Sequence, residues 1–435
     1  MTAVQSRFRG IGSFRWIIVF LLFLITIFNY IDRAAISFAI GQITAEFHFD
    51  ASAAGLVLGA FGIGYFITTF LGGIAVDRWG TRKVLLIAAV LWSIAMGGAG
   101  FAIGFATLFV ARALLGLAEG PNFPSLTRAI GHWLNPQERA TALAFTLFAV
   151  PLALAISAPI VTTLLVWFGW RGMFWLLGFL VLAWIPFWVW LFRDNPATSP
   201  HVGPDELDYI RAGQTPLKKH TVEDIFNAVD WKFILTNRTL VANTWAFFVF
   251  GYFLFFFMGW LPSYLERTYH LSLRAVGVFS FLPWAVAAVL LWGFGPLSDF
   301  LLRRTGRLRV ARSSLIMLTQ LGAALAVIPV TFAGDLTVAI IFISIAVGLS
   351  MSANSAYYAT TIDVAPKRSG SALGVMDTAF AISGFVAPAL TGYIVDLTGS
   401  FNGAFVLLTV FAVSSVIVVF LFHKPDESAR LEVET

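Results

Sequence analysis

Five ionisable side chains interrupt otherwise apolar stretches of this sequence. Asp32 and Arg33 lie in IFNYIDRAAISFAIGQ, Arg112 and Glu119 in RALLGLAEGPNFPS, and Asp377 in SGSALGVMDTAFAISG. A single charge deep in a bilayer costs about 2.5–3.5 kcal/mol on insertion scales, so such residues need partners or water. A guanidinium stays charged and binds a carboxylate through two parallel hydrogen bonds. A carboxylate withdrawn from water favours its protonated form, and a nearby Arg favours the charged one. Arg33 is therefore expected to hold an anion. Arg112 is a second candidate, or the partner of Glu119. Asp32 and Glu119 are candidate proton carriers, because binding or a conformational change can tip their balance. Asp377 is left between a further proton site, a contact to a donor group of the substrate, and a structural pair. A static network of ion pairs is the competing reading, but a scaffold gains little from so many buried charges.

The elements that must carry these groups are membrane helices. The chain has 435 residues, 59% hydrophobic and 12% charged, with mean hydropathy +0.84. Soluble domains carry about 25% charged residues. Apolar runs of about 20 residues place twelve spans at 15–39, 52–75, 83–104, 106–130, 140–165, 171–192, 238–265, 273–298, 312–332, 335–361, 370–396 and 402–423. At about 1.5 Å per residue, Asp32 and Arg112 each lie about 10 Å below the outer surface, with Glu119 deeper. Arg112 and Glu119 share one helix face, while Asp32 and Arg33 point about 100° apart and cannot serve one neighbour.

Of the 28 Lys and Arg residues, Arg33 and Arg112 fall inside spans and Arg171, Arg267 and Arg274 near one face. The rest lie at the other face or the termini, which makes that face cytoplasmic, with both termini. The formal charge of +5 thus reads as topology and affinity for anionic lipid, not for nucleic acid. The short basic leader before the first span resembles a signal peptide but lacks a small-residue cleavage pattern, so no cleavage is expected. The absence of cysteine excludes disulfides and thiolate metal sites, and the histidines show no metal spacing.

The segment 193–237, rich in Pro, Gly and mixed charge, reads as a cytoplasmic linker with a short amphipathic helix near 222–234. It separates an N-terminal unit, 1–192, from a C-terminal unit, 238–435. The two repeat each other. GGIAVDRWGTRK (72–83) follows span 2 and GFGPLSDFLLRRTG (293–306) follows span 8. NPQERATAL (135–143) precedes span 5 and APKRSGSAL (365–373) precedes span 11. Parallel repeats place a binding site at their interface near the midplane. Gly73 and Gly295 are expected to let helices approach. Asp77, Arg78, Gly80, Arg82, Lys83 and Arg139 in one half, with Asp299, Arg303, Lys367 and Arg368 in the other, are expected to make gate contacts that change with conformation.

On these motifs the sequence resembles the major facilitator superfamily over essentially its whole length, GGIAVDRWGTRK being similar to its loop 2–3 signature. A narrower resemblance is to the anion:cation symporter branch, which holds sugar-acid, phthalate and tartrate carriers, sialin and the vesicular glutamate transporters. NYIDRAAIS (29–37), RALLGLAEGPNFPS (112–125), WLPSYL (260–265) and PALTGYIVDLTGSF (388–401) carry it. The resemblance implies an all-α membrane protein of twelve transmembrane helices in two pseudo-symmetric six-helix bundles. Helices 1, 4, 7 and 10 would line the cavity. It also implies proton coupling at Asp32 and Glu119 and substrate contact at Arg33 and Tyr65. Asp377 departs from the family, whose members often carry Asn there.

The cavity walls give weaker hints. Asn354, Tyr357 and Tyr358 in span 10 are hydrogen-bonding candidates. The seven Phe residues of span 7 between 247 and 257 are expected mostly to face lipid or pack. Where sugar-acid carriers place an amide on span 5, this chain has Val150, Pro151 and Leu152, which favours an aromatic or less polar carboxylate. Enzyme readings fail: there is no G-x-x-x-x-G-K-[ST] loop, and DLTG (396–399) lacks the Lys of an ATPase phosphorylation motif. The expected function is proton-coupled import of a small organic anion by a monomeric carrier needing no cofactor beyond protons. An organic-anion exchanger and an efflux carrier for hydrophobic compounds are the alternatives.

Overall fold

A computed structural model describes residues 13–212 and 231–428, and these are helical with no strand. Helices α1 to α6 span Phe14–Phe47, Ala51–Trp79, Thr81–Ala99, Phe105–Glu119, Asn122–Trp133 and Pro136–Leu191. The short helices α7 and α8 follow at Pro204–Arg211 and Trp231–Thr236. Helices α9 to α15 span Arg238–Tyr269, Leu273–Thr305, Ser314–Thr331, Leu336–Ser352, Asn354–Val364, Ser369–Thr398 and Asn402–Phe422. Among the described residues, ten helices are long and apolar enough to cross a membrane. The difference from the twelve spans read in the sequence arises at two places. The 56-residue α6 is broken at Gly169, where φ is +64°. The expected fourth span is cut at Gly120–Pro121 into α4 and α5, because Pro121 cannot donate to the helical ladder.

Local chemistry sets the helix ends. The side chains of Asp50, Ser272 and Asp335 accept hydrogen bonds from the backbone N–H groups of Ala53, Ala275 and Val338, capping α2, α10 and α12. The positive-φ residues among those described are His48, Gly80, Gly169, His270, Gly306 and Gly399. They fall into matched pairs. His48 ends α1 and His270 ends α9; Gly80 follows α2 and Gly306 follows α10; Gly169 and Gly399 close the helices after the two "ERATAL" and "KRSGSAL" motifs. Matching breaks also interrupt the fourth span of each half, at Gly120–Pro121 and at Ala353 between α12 and α13. The repeat seen in the motifs thus extends to backbone geometry.

The halves meet through α2 on α14, α6 on α10, and α1 on α9. At the face away from the basic clusters, α2 and α14 come backbone to backbone. A Cβ added to Gly55 would lie 2.6 Å from the Pro388 carbonyl oxygen, and one on Gly59 2.8 Å from that of Phe385. Ser52 donates to Asp396 across the same seam at 2.8 Å. At the basic face α5 and α13 pack chiefly within their own halves.

Part of the linker is folded against the first half. Arg15 at the start of α1 pairs with Glu138 of α6 at 2.8 Å and Glu206 of α7 at 3.1 Å. The Asn135 side chain donates to the carbonyls of Tyr209 and Ala212. The amphipathic helix expected near 222–234 lies largely outside the described residues; its last part falls within α8. Of the two expectations for the phenylalanines of α9, packing is the one met, with Phe248 half-buried. Phe247, Phe250, Phe253, Phe255, Phe256 and Phe257 are all buried, because α9 is enclosed by α1, α14 and α15.

Candidate functional site: a caged arginine at the seam of the two halves

Helix α1 runs eight residues past the span read from the sequence, to Phe47. Asp32 and Arg33 therefore lie near its middle, about 21 Å from its far end at 1.5 Å per residue, deeper than expected. Glu119 stands at the matching depth at the end of α4. The Arg33 Nε donates to Glu119 Oε2 at 2.7 Å, and neither side chain is exposed. Three rings surround the guanidinium: Tyr30 at 4.7 Å, Phe61 at 4.7 Å and Tyr65 at 4.5 Å from its central carbon. Phe61 and Tyr65 are one turn apart on α2. They reach Arg33 because Gly64 and Gly116 let α2 and α4 touch backbone to backbone, leaving no room for a side chain at either position.

The pairing leaves two donors and an acceptor over. Arg33 Nη1 and Nη2 and Glu119 Oε1 have no hydrogen-bond partner. Asn29, one turn before Arg33, and Asn122 and Ser125 on α5 are buried with equally unpartnered side-chain atoms. Such atoms cost about 1–3 kcal/mol each when left dry. The site is built to be completed by water or a ligand.

Asp32 is turned elsewhere, as its angle from Arg33 requires. Its Oδ2 accepts from Trp92 Nε1 of α3 at 2.7 Å. Arg112 is not the partner of Glu119, although both face one side of α4. Arg33 reaches Glu119 first, and Arg112 Nη2 makes only a long contact of 3.5 Å to the Arg33 carbonyl, with its Nε and Nη1 unpartnered. Three of the five intramembrane charges, Arg33, Arg112 and Glu119, thus gather near Phe61, with Asp32 turned toward α3.

The fifth faces them from the second half. The half-buried Asp377 of α14 accepts through Oδ1 from the Tyr358 hydroxyl of α13 at 3.1 Å. Tyr358 and Asp377 are close enough to Tyr30 and Tyr65 to interact with them electrostatically. Asn354 opens α13, half-buried, just after the break at Ala353. Tyr357 departs from expectation. It is fully buried, accepts from Gln320 Nε2 at 2.8 Å and packs on Phe247 and Phe250, so it belongs to the core of the second half.

The signature residues pair within their own halves. Asp77 takes Arg128 of α5, while Asp299 takes Arg312 at 3.1 Å, which also reaches Asp363 at 3.3 Å. Arg82 donates to the Val189 carbonyl and Arg139 to the Gly131 carbonyl. Arg78, Lys83 and Arg303 are exposed. Gly80 supplies the positive φ of the turn beside Asp194. Arg368 lies over the Phe233 ring. Gly73 is not the close-packing residue: nothing lies within 4 Å of its built Cβ, whereas one on Gly72 would meet Pro121 at 2.7 Å. The surroundings of Gly295 and Lys367 fall outside the described residues. Trp92, Tyr30, Phe61, Asn29, Arg128 and Arg312 were not singled out for these roles from the sequence. Aromatic and amide residues inside apolar runs give no signal until neighbouring helices are placed.

Comparison with known proteins agrees with this architecture. The model of the Major Facilitator Superfamily matches residues 22–388 and 305–434. The chain is 33% identical over 412 residues to the hexuronate transporter of Bacillus subtilis, covering 94% of each. It is 33% identical over 408 residues to a probable sulfoacetate transporter of Cupriavidus necator, covering 92% of this chain and 93% of that one. Among solved structures, a bacterial homologue of the human lysosomal transporter Spinster, inward-facing and occupied, superposes with TM-score 0.77 at 17% identity, covering 95% and 97% of the two chains. The chain belongs to the Major Facilitator Superfamily, a multi-pass membrane transporter and not an enzyme.

Proposed function

We propose that this protein imports a small organic anion together with protons, by alternating access between the units 1–192 and 238–435 joined by the linker 193–237. The observation that carries this reading is the caged Arg33, whose Nε holds Glu119 while both Nη groups stay free. A carboxylate arriving at Nη1 and Nη2 would share the guanidinium with Glu119. Competition for one cation favours protonation of Glu119, so substrate and proton load together. Arg112 beside this centre adds positive potential, and Asp32 on Trp92 is a second proton carrier.

The hexuronate and sulfoacetate carriers among the relatives are named for anions, which supports the substrate class. With the basic face taken as cytoplasmic, the α2–α14 seam lies on the periplasmic side, where it would close the carrier, and the protein would work as a monomer in a bacterial inner membrane. The gate pairs Asp77–Arg128 and Asp299–Arg312 would then exchange partners when the cytoplasmic side closes.

The test is a thermal-shift series on purified protein against sugar acids, aromatic acids and small dicarboxylates, followed by proteoliposome uptake of whichever binds. Accumulation driven by an inward proton gradient is expected, and Arg33→Ala is expected to lose binding. Uptake indifferent to both pH and voltage removes symport and leaves the exchanger.

A further inference from the structure

The two walls of the central site carry opposite chemistry. The first half offers a guanidinium with two free Nη groups, caged by Tyr30, Phe61 and Tyr65. The second half offers a carboxylate, Asp377, to which no Lys or Arg among the described residues is paired; its Oδ1 accepts from the Tyr358 hydroxyl, and Oδ2 has no hydrogen-bond partner among the described residues. Asp377 is half-buried, so its free oxygen is reachable, and Tyr358 is held by the Phe247 ring at 5.5 Å. Helix α2, which carries Phe61 and Tyr65, packs backbone to backbone at Gly62 on Gly384 and Phe385 of α14, the helix that carries Asp377, and Tyr30 and Tyr65 interact with both Arg33 and Asp377. No ion pair joins Asp377 to Arg33.

Resting on the anion-carrier reading above, we propose that Asp377 is a specificity-determining residue: it selects monoacids bearing a hydrogen-bond donor at the end opposite the carboxylate, and rejects dianions. A ligand whose carboxylate sits on Arg33 presents its other end to Asp377. A hydroxyl or amino group there donates to the free Oδ2. A second carboxylate there faces the Asp377 carboxyl with no Lys or Arg among the described residues paired to it, so the two must either repel or take up a proton to share. In a weakly polar site such a pairing is strongly disfavoured. Aromatic surfaces on both walls suit a flat or ring-shaped body between the two ends.

Two matched pairs test this by isothermal titration or thermal shift at one pH: 4-hydroxybenzoate against terephthalate, and gluconate against glucarate. In each pair the body is conserved and the far group changes from donor to carboxylate. The monoacid of at least one pair is expected to bind at least tenfold more tightly than its diacid. Asp377→Asn keeps the shape, removes the charge and supplies an amide donor, so it is expected to shrink that ratio by about tenfold, chiefly by gaining the diacid. Tyr358→Phe keeps the ring and is expected to weaken the monoacid while leaving the diacid excluded. Equal binding of monoacid and diacid by the wild type, or a ratio unchanged in Asp377→Asn, overturns this assignment while leaving the anion site intact. A flat response of the wild type to all four compounds, identical to that of Arg33→Ala, overturns the anion reading as well.

Discussion

At the scale of single residues, the proposed mechanism turns on one guanidinium, paired with Glu119 in the structure, that would serve two anions in succession. Arg33→Lys retains the charge but loses the planar fork, and Lys cannot hold Glu119 and a bidentate carboxylate together. Substrate affinity is expected to fall at least tenfold, about 1.4 kcal/mol, measured by titration with any anion the wild type binds. Trp92→Phe removes the donor that satisfies Asp32 Oδ2. Leaving a buried acceptor unpaired costs about 1–3 kcal/mol, so the variant is expected to melt at lower temperature while keeping substrate binding at Arg33. Equal melting with lost binding would instead make Asp32 part of the anion site. Arg33, Glu119 and Tyr65 were legible in the sequence because a charge within an apolar run is conspicuous and a family motif covers them. Their pairing was not. Periodicity puts Arg112 and Glu119 on one helix face, but the partner of Glu119 depends on how closely α1 approaches α4, which no single-helix pattern contains.

At the scale of elements, the seam between α2 and α14 is the proposed gate. Gly55 and Gly59 face backbone atoms of α14 with no room for a side chain. Gly59→Leu is expected to hold the seam apart, raising the accessibility of residues lining it to a membrane-impermeant thiol reagent and slowing transport. The chain contains no cysteine, so introduced thiols report cleanly. The double replacement Ser52→Cys and Asp396→Cys joins a contact of 2.8 Å. Oxidation is expected to arrest transport reversibly, with reductant restoring it; transport undiminished by the cross-link would mean the seam does not open during the cycle. Spans and repeats were readable from hydropathy and from the paired Gly–x–x–x–Asp motifs. The breaks at Gly120–Pro121 and Ala353 were not marked as breaks, because an apolar run continues through each. The packing role assigned to Gly73 belongs to Gly72, since a one-residue step turns a helix face by about 100°.

At the scale of the whole molecule, two carboxylates at different depths of partnership, Asp32 on Trp92 and Glu119 on Arg33, make two protons per monoanion the expected stoichiometry. Each cycle then moves net positive charge inward, worth about 2.3 kcal/mol per charge at 100 mV. Uptake in proteoliposomes is expected to rise with an inside-negative potential at constant pH; voltage-independent, pH-driven uptake would reduce the count to one proton per monoanion. The pseudo-symmetry helps explain why so much of the architecture could be read in advance. Paired turns at His48 and His270 and at Gly80 and Gly306 repeat one folding unit, whereas the chemistry is unequal, with cations in the first half and Asp377 in the second. That asymmetry is what the repeat pattern hides.

The most direct test of the account is substrate accumulation against substrate exchange in Glu119→Gln proteoliposomes under an imposed proton gradient. The variant is expected to exchange internal for external substrate yet accumulate none, because Gln can neither take up nor release the proton that competes for Arg33. Accumulation by the variant at the wild-type level would contradict it.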